Sequence, residues 1–113
     1  MSVAAAEELL AQMLESANQA TDYVEGMDAS DFLADKRTQQ AVILNLIVLG
    51  EAATKLMDRH PDVAAAHPEI AWRAMRGMRN RIAHGYYEID LDVVWETVAN
   101  ALPELVRQLS AMK

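Results

Sequence analysis

Ala41-Val42-Ile43-Leu44-Asn45-Leu46-Ile47-Val48-Leu49-Gly50 is the stretch that decides the architecture. It lies inside a helical pattern that starts near Asp35 and ends at His60-Pro61, because the residue before a proline is pushed out of helical conformation. Seven of the ten residues are large and aliphatic, so this helix has almost no polar side. A helix apolar all round has to be covered all round. A small bundle seldom hides a whole helix, so a second copy of the chain is the expected source of the missing cover. Gly50 fits the same expectation: glycine inside a helix costs about 1 kcal/mol relative to alanine, tolerable where another backbone comes close. Asn45 needs a hydrogen-bond partner if buried. It either bonds within its own chain or sets the register of a dimer, and the first is expected because buried polar groups are usually satisfied locally.

Working outward, apolar residues recur with helical spacing at Leu10, Met13, Leu14, Ala17 and Ala20 between Glu7 and Val24, and Gly26 supplies a stop. Ser30 and Asp31 offer capping oxygens ahead of the apolar helix. A loop is expected from Pro61 to His67. Pro68 suits the first position of a third helix, which runs through Trp72 to about Ala83 and stops before Gly85. Asp90 reads as the cap of a fourth helix carrying Val93, Val94, Val98 and Leu102, which Pro103 either kinks or restarts. Short connections between these segments predict an all-α, antiparallel bundle of four to five helices, with residues 1–113 as a single domain.

At 113 residues with 52% hydrophobic content, one core is expected. The chain has no cysteine, so neither disulfides nor thiolate metal sites hold it, and the cytoplasm is the default compartment. The amino terminus lacks the basic and apolar pattern of a signal peptide. The ten-residue apolar stretch is about half of what a bilayer span needs, so no membrane anchor is expected.

The net charge of −7 argues against a generic nucleic-acid binder, since a phosphate backbone is repelled by a broadly acidic surface. The average hides a local reversal. Between Trp72 and His84 stand Arg73, Arg76, Arg79 and Arg81 with no acid among them, while six basic residues face all seventeen acids elsewhere. That segment is the one place built to meet an anion.

Projected at about 100° per residue, the third helix places Met75, Met78 and Ile82 on one face and Arg73, Gly77, Asn80 and His84 on the opposite one. Arg79 lies about 140° from His84 on a regular helix. The two cannot easily reach one atom from a single chain unless the helix unwinds near Gly85. Two chains paired across a two-fold axis solve this, Arg79 of one approaching His84 of the other in a composite cleft.

An arginine and a histidine suffice for RNA cleavage without a metal or other cofactor. Histidine takes the 2′-hydroxyl proton or returns one to the leaving oxygen, and arginine holds the phosphate as its charge redistributes. The plainer alternatives are a histidine at the negative end of a helix dipole and arginines paired with Glu88, Asp90 and Asp92 on a solvated face. His60, His67 and His84 have no one-turn spacing that would suit a metal site.

Met75-Arg76-Gly77-Met78-Arg79-Asn80-Arg81-Ile82-Ala83-His84-Gly85-Tyr86 resembles the signature of the HepT-like branch of the HEPN superfamily: arginine, four residues, histidine, one residue, tyrosine. Gln40-Ala41-Val42 through Leu49-Gly50-Glu51-Ala52-Ala53 and Pro68-Glu69-Ile70-Ala71-Trp72 agree in order and spacing, so the likeness covers most of the chain. The resemblance implies a HEPN-like helical bundle that forms a homodimer, with Arg79 and His84 of both protomers lining a shared cleft and Arg76, Asn80 and Arg81 in supporting or RNA-binding places. HepT-like proteins are typically endoribonuclease toxins of toxin-antitoxin pairs. Their partner is an MntA-like nucleotidyltransferase antitoxin that transfers AMP to the motif tyrosine, here Tyr86, with Tyr87 as its immediate neighbour. Asn80, one turn from His84, is expected to orient it. The alternative is a non-catalytic helical dimer that binds a nucleotidyltransferase or its nucleotide through these arginines.

Overall fold

A computed structural model describes residues 3–112. The helices are α1 (Val3–Tyr23), α2 (Ala29–Leu33), α3 (Lys36–Arg59), α4 (Pro61–Ala66), α5 (Trp72–His84), α6 (Leu91–Glu96) and α7 (Leu102–Ala111), and there is no strand among the described residues. The expected all-α bundle is what forms. The core helix α3 packs against α1 on one side and α5 on the other, and α7 returns along α1. The ion pairs Asp58–Arg76 and Glu51–Arg79 set the antiparallel register of α3 and α5, since one series ascends as the other descends.

Local chemistry sets the boundaries. α2, which the sequence pattern did not reveal, is closed by a capping box in which Asp28 accepts the Asp31 N–H at 2.8 Å and Asp31 accepts the Asp28 N–H at 3.1 Å. Asp28 is therefore the cap and Asp31 its reciprocal partner, whereas Ser30 only donates its hydroxyl to Asp28 at 2.8 Å. Asp35 caps α3, taking the Thr38 N–H at 3.1 Å and the Thr38 hydroxyl at 2.7 Å. The buried Gln39 amide donates to the carbonyls of Phe32 and Leu33 at 2.9 and 3.1 Å, which satisfies the end of α2.

Two proline expectations are corrected. Pro61 does not open a loop but starts the short helix α4, its missing N–H falling where none is needed. Pro68 does not start α5, which begins four residues later at Trp72. The intervening chain wraps around the Trp72 indole, whose Nε1–H donates to the His67 carbonyl at 3.0 Å, and Ala71 stands outside helical conformation at ψ 63°. Pro103 stands in the first turn of α7, where the last segment restarts as one of the two expectations had it. The turns ahead of it widen into a π-type stretch, Thr97–Ala101, where the Leu102 N–H reaches back five residues to the Thr97 carbonyl. That accommodates a proline ring that cannot donate.

α3 buries Val42, Ile43, Leu46, Leu49, Ala52, Ala53 and Leu56, which join Met13, Ala17, Phe32, Val94 and Val98 in the core. By length and composition α3 is apolar enough to cross a bilayer, yet half of its most apolar window is buried inside the bundle. Leu44 and Val48 stay 61% and 40% exposed on its outer side. Asn45 bonds within its own helix, donating to the Ala41 carbonyl at 3.0 Å.

Gly50 is explained by this chain rather than by a second one. A Cβ there would lie 2.4 Å from the Arg79 Cβ and 2.8 Å from the Met75 carbonyl oxygen, so the close approach is that of α5.

Candidate functional site

α5 is amphipathic as its spacing predicts. Ile82 is buried and Met75 and Met78 are half-buried against the core, while Arg73, Asn80 and His84 are exposed on the other side. The helix stays regular to His84 and the Gly85 N–H still donates to the Arg81 carbonyl at 3.3 Å. Gly85 is extended at φ −166°, so it ends α5 without the left-handed geometry that Gly26 adopts at φ 81°.

The arginines have distinct surroundings. The Arg79 side chain is only 21% exposed; its Nη1 donates to Glu51 of α3 and its Nε to the Asn80 amide oxygen at 2.8 Å. Arg76 donates to Asp58 at 2.8 Å and to the Thr54 hydroxyl at 3.5 Å. The counter-ions thus come from α3, not from Glu88, Asp90 and Asp92. Asp90 instead caps α6 through the N–H groups of Asp92 and Val93, at 2.9 and 3.4 Å. Arg73 and Arg81 are exposed and have no ion pair among the described residues.

His84 lines a groove of about 320 Å³ with Arg81, Glu88 and Asp90 on its polar side and Ile82 and Ile89 on its apolar side. Beyond Met78 and Arg81 a second, apolar hollow of about 380 Å³ opens between α3, α5 and α7. Tyr86 and Tyr87 follow on a short 3₁₀ turn, Tyr86–Glu88, their rings edge to face with centroids 5.5 Å apart. Tyr86 is 40% exposed and Tyr87 95%, so neither ring serves as core packing. The other two histidines lie elsewhere: His67 faces Glu69 at 3.3 Å, and His60 is buried where α3 meets α4. No three histidine or carboxylate side chains converge as metal ligands would among the described residues.

The family model described as ribonuclease HepT-like matches residues 13–112. The chain belongs to that family. A protein of Methanocaldococcus jannaschii named as an RNase is 32% identical over 100 residues, covering 88% of this chain and 80% of the relative. A protein of Thermococcus cleftensis named as a ribonuclease HepT is 44% identical over 75 residues, 66% of each chain. A second RNase-named M. jannaschii protein is 30% identical over 100 residues, 88% of this chain and 89% of the relative. No solved structure matches the chain.

In this HepT-like chain the two halves of the motif point apart within one protomer. Arg79 is turned toward α3, while His84 opens onto the groove beside Arg81. Asn80 holds Arg79 rather than His84, with which it makes no hydrogen bond among the described residues. Reading the sequence missed Glu51, Thr54 and Asp58, the α3 residues that hold the arginines. No local pattern marks them: Glu51 and Asp58 lie 28 and 18 residues from Arg79 and Arg76, and only the packing of α3 on α5 pairs them.

Proposed function

We propose that the chain is the toxin of a toxin-antitoxin pair, a cytoplasmic, homodimeric, metal-independent endoribonuclease silenced by AMP transfer to Tyr86 from an MntA-like nucleotidyltransferase. Membership of a ribonuclease family supplies the reaction class. The observation that carries the site is that His84, Arg81, which has no ion pair among the described residues, and Tyr86 all face solvent within about one and a half turns of chain, on a protein otherwise acidic.

In the reaction, His84 takes the 2′-hydroxyl proton, or gives one to the leaving 5′-oxygen, as the 2′-oxygen attacks phosphorus and the P–O5′ bond breaks. The products are a 2′,3′-cyclic phosphate and a 5′-hydroxyl, with no water consumed in that step. Arg79 stabilises the phosphorane-like charge through N–H donors, and Arg76 and Arg81 steer the backbone.

Separation of Arg79 from His84 in one protomer supports the two-chain cleft. The exposed Leu44 and Val48 stand one turn apart on the face of α3 that continues to Glu51, Arg79's partner. Protomers meeting on that stripe bring both copies of Arg79 to one interface. AMP on Tyr86 adds a negatively charged phosphodiester and a bulky nucleoside two residues from His84, where RNA phosphate has to enter.

Purified protein and its His84→Ala variant, incubated with RNA in the presence of a chelator, test the chemistry. Cleavage leaving cyclic phosphate ends, lost in the variant by about 100-fold or more, is expected. Undiminished cutting by the variant removes His84 from the mechanism. Co-expression with the nucleotidyltransferase is expected to add mass in units of AMP at Tyr86 and relieve growth arrest; absence of arrest and of mass gain leaves the non-catalytic binding subunit.

A further inference from the structure

We propose that Gly50 and Glu51 of α3 form the seat of Arg79, with Glu51 as a positioning residue that presents the guanidinium edge to the RNA phosphate. The inference rests on the ribonuclease reading above.

Arg79 is the only arginine of α5 held at three points. Its Cβ lies too close to Gly50 for a side chain there, its Nη1 donates to the Glu51 carboxylate and its Nε donates to Asn80 at 2.8 Å. Adjacent residues of one helix thus provide the space for the stem and the charge for the head. Guanidinium carries five N–H donors in a fixed plane. With the Nε proton and one Nη1 proton engaged, three of the five N–H donors remain, both on Nη2 and the second on Nη1. A free arginine on a helix surface samples many rotamers, and only a small share would meet a phosphate in that orientation. The carboxylate fixes the plane before substrate arrives, the preorganisation that transition-state stabilisation requires.

Arg76 gives the contrast. It too is paired with α3, but through Asp58 and Thr54, with no glycine beneath it and a more exposed side chain. Arg81 and Arg73 form no ion pair among the described residues. Of the four arginines, the one that the motif spacing marks is the one that the fold immobilises.

The competing role is competition: Glu51 occupies the arginine and the phosphate has to displace it. The two roles move turnover in opposite directions. Loss of the carboxylate lowers kcat if Glu51 positions Arg79 and raises cleavage if it competes.

The test uses the full chain and three variants, Glu51→Ala, Glu51→Gln and Glu51→Asp, with RNA cleavage and the NMR signal of the Arg79 Nε–H, assigned through Arg79→Lys. Glu51→Ala is expected to lower kcat by about 10- to 100-fold, since small misplacements of a catalytic group carry such losses, with little change in KM. Its Arg79 Nε–H signal is expected to broaden or exchange away. Glu51→Gln, which keeps an acceptor at the same reach, is expected to restore most of both. Should Glu51→Ala fail to fold, Glu51→Asp, shorter by one methylene with its charge intact, is expected to show the same pair of losses. Faster or unchanged cleavage in the folded variants, or an Arg79 signal as sharp as in the parent, overturns the assignment. If the parent protein cuts no RNA, the ribonuclease reading falls by that result alone, and the NMR comparison still decides whether Glu51 fixes Arg79.

Discussion

Gly50 and His60 show how much single positions carry here. A Cβ at Gly50 would lie 2.4 Å from the Arg79 Cβ and 2.8 Å from the Met75 backbone oxygen, neither of which is the free end of a flexible side chain. Gly50→Ala gains about 1 kcal/mol of helix propensity but forces α3 and α5 apart, an overpacking cost of about 1 to 3 kcal/mol. A net loss of stability in urea titration is expected, together with reduced cleavage because Arg79 rides on the displaced helix. A variant as stable as the parent would show that α5 yields at no cost. His60 presents the opposite case: its ring is buried and Nε2 has no hydrogen-bond partner among the described residues. Leaving a buried polar atom unpaired costs about 1 to 3 kcal/mol, so His60→Leu, apolar and of similar bulk, is expected to raise the urea midpoint. A lower midpoint in that variant would mean that the ring holds a polar partner at Nε2 in solution.

At the scale of elements, aspartate caps rather than apolar periodicity place the starts of α2, α3 and α6. The Thr38 hydroxyl and then its N–H hold the Asp35 carboxyl below the usual carboxylate range, and the Asp31 N–H followed by the Ser30 hydroxyl does the same for Asp28. A depressed folded value means that the caps contribute fully above the unfolded carboxylate value and lose that contribution as pH falls through the folded one. Asp35→Ala is therefore expected to lower the thermal midpoint at pH 7, and the gap to the parent narrows below about pH 4. A gap independent of pH would assign the loss to something other than the ionised cap. Legibility follows the same division. The long helices could be read because Met13, Ala17, Val42, Leu46, Leu49 and Ile82 repeat with the period of the buried face. The helix α2 could not, being five residues long and carried by one capping box. Pro68 misled because proline tolerates a helix start without requiring one, and the Trp72 indole bond to His67 settled the matter. The motif residues Arg79, His84 and Tyr86 were legible from spacing, while the α3 acids that pair with Arg79 and Arg76 were not, because Glu51 and Asp58 lie 28 and 18 residues away from them in sequence. Only the antiparallel register of two helices brings them together.

At the scale of the whole molecule, the separation of Arg79 from His84 becomes a question about two chains. In the proposed homodimer the exposed Leu44 and Val48 are covered by the partner, so Val48→Glu is expected to give a folded monomer with helical circular dichroism retained and cleavage lost. A sharper test asks which chain supplies which group. Arg79→Ala and His84→Ala proteins are each inactive in the two-chain cleft, but a mixed dimer places an intact Arg79 from one beside an intact His84 from the other. Random reassociation makes about half of the dimers mixed, each with one complete arginine–histidine pair out of two, so activity is expected to recover to about one quarter of the parent value. If the pair acted within a single chain, every chain in the mixture would lack one member and none would recover. Mixing after mild denaturation, with size-exclusion profiles matched to the parent, makes the outcome depend on where the groups reside and not on how much dimer forms.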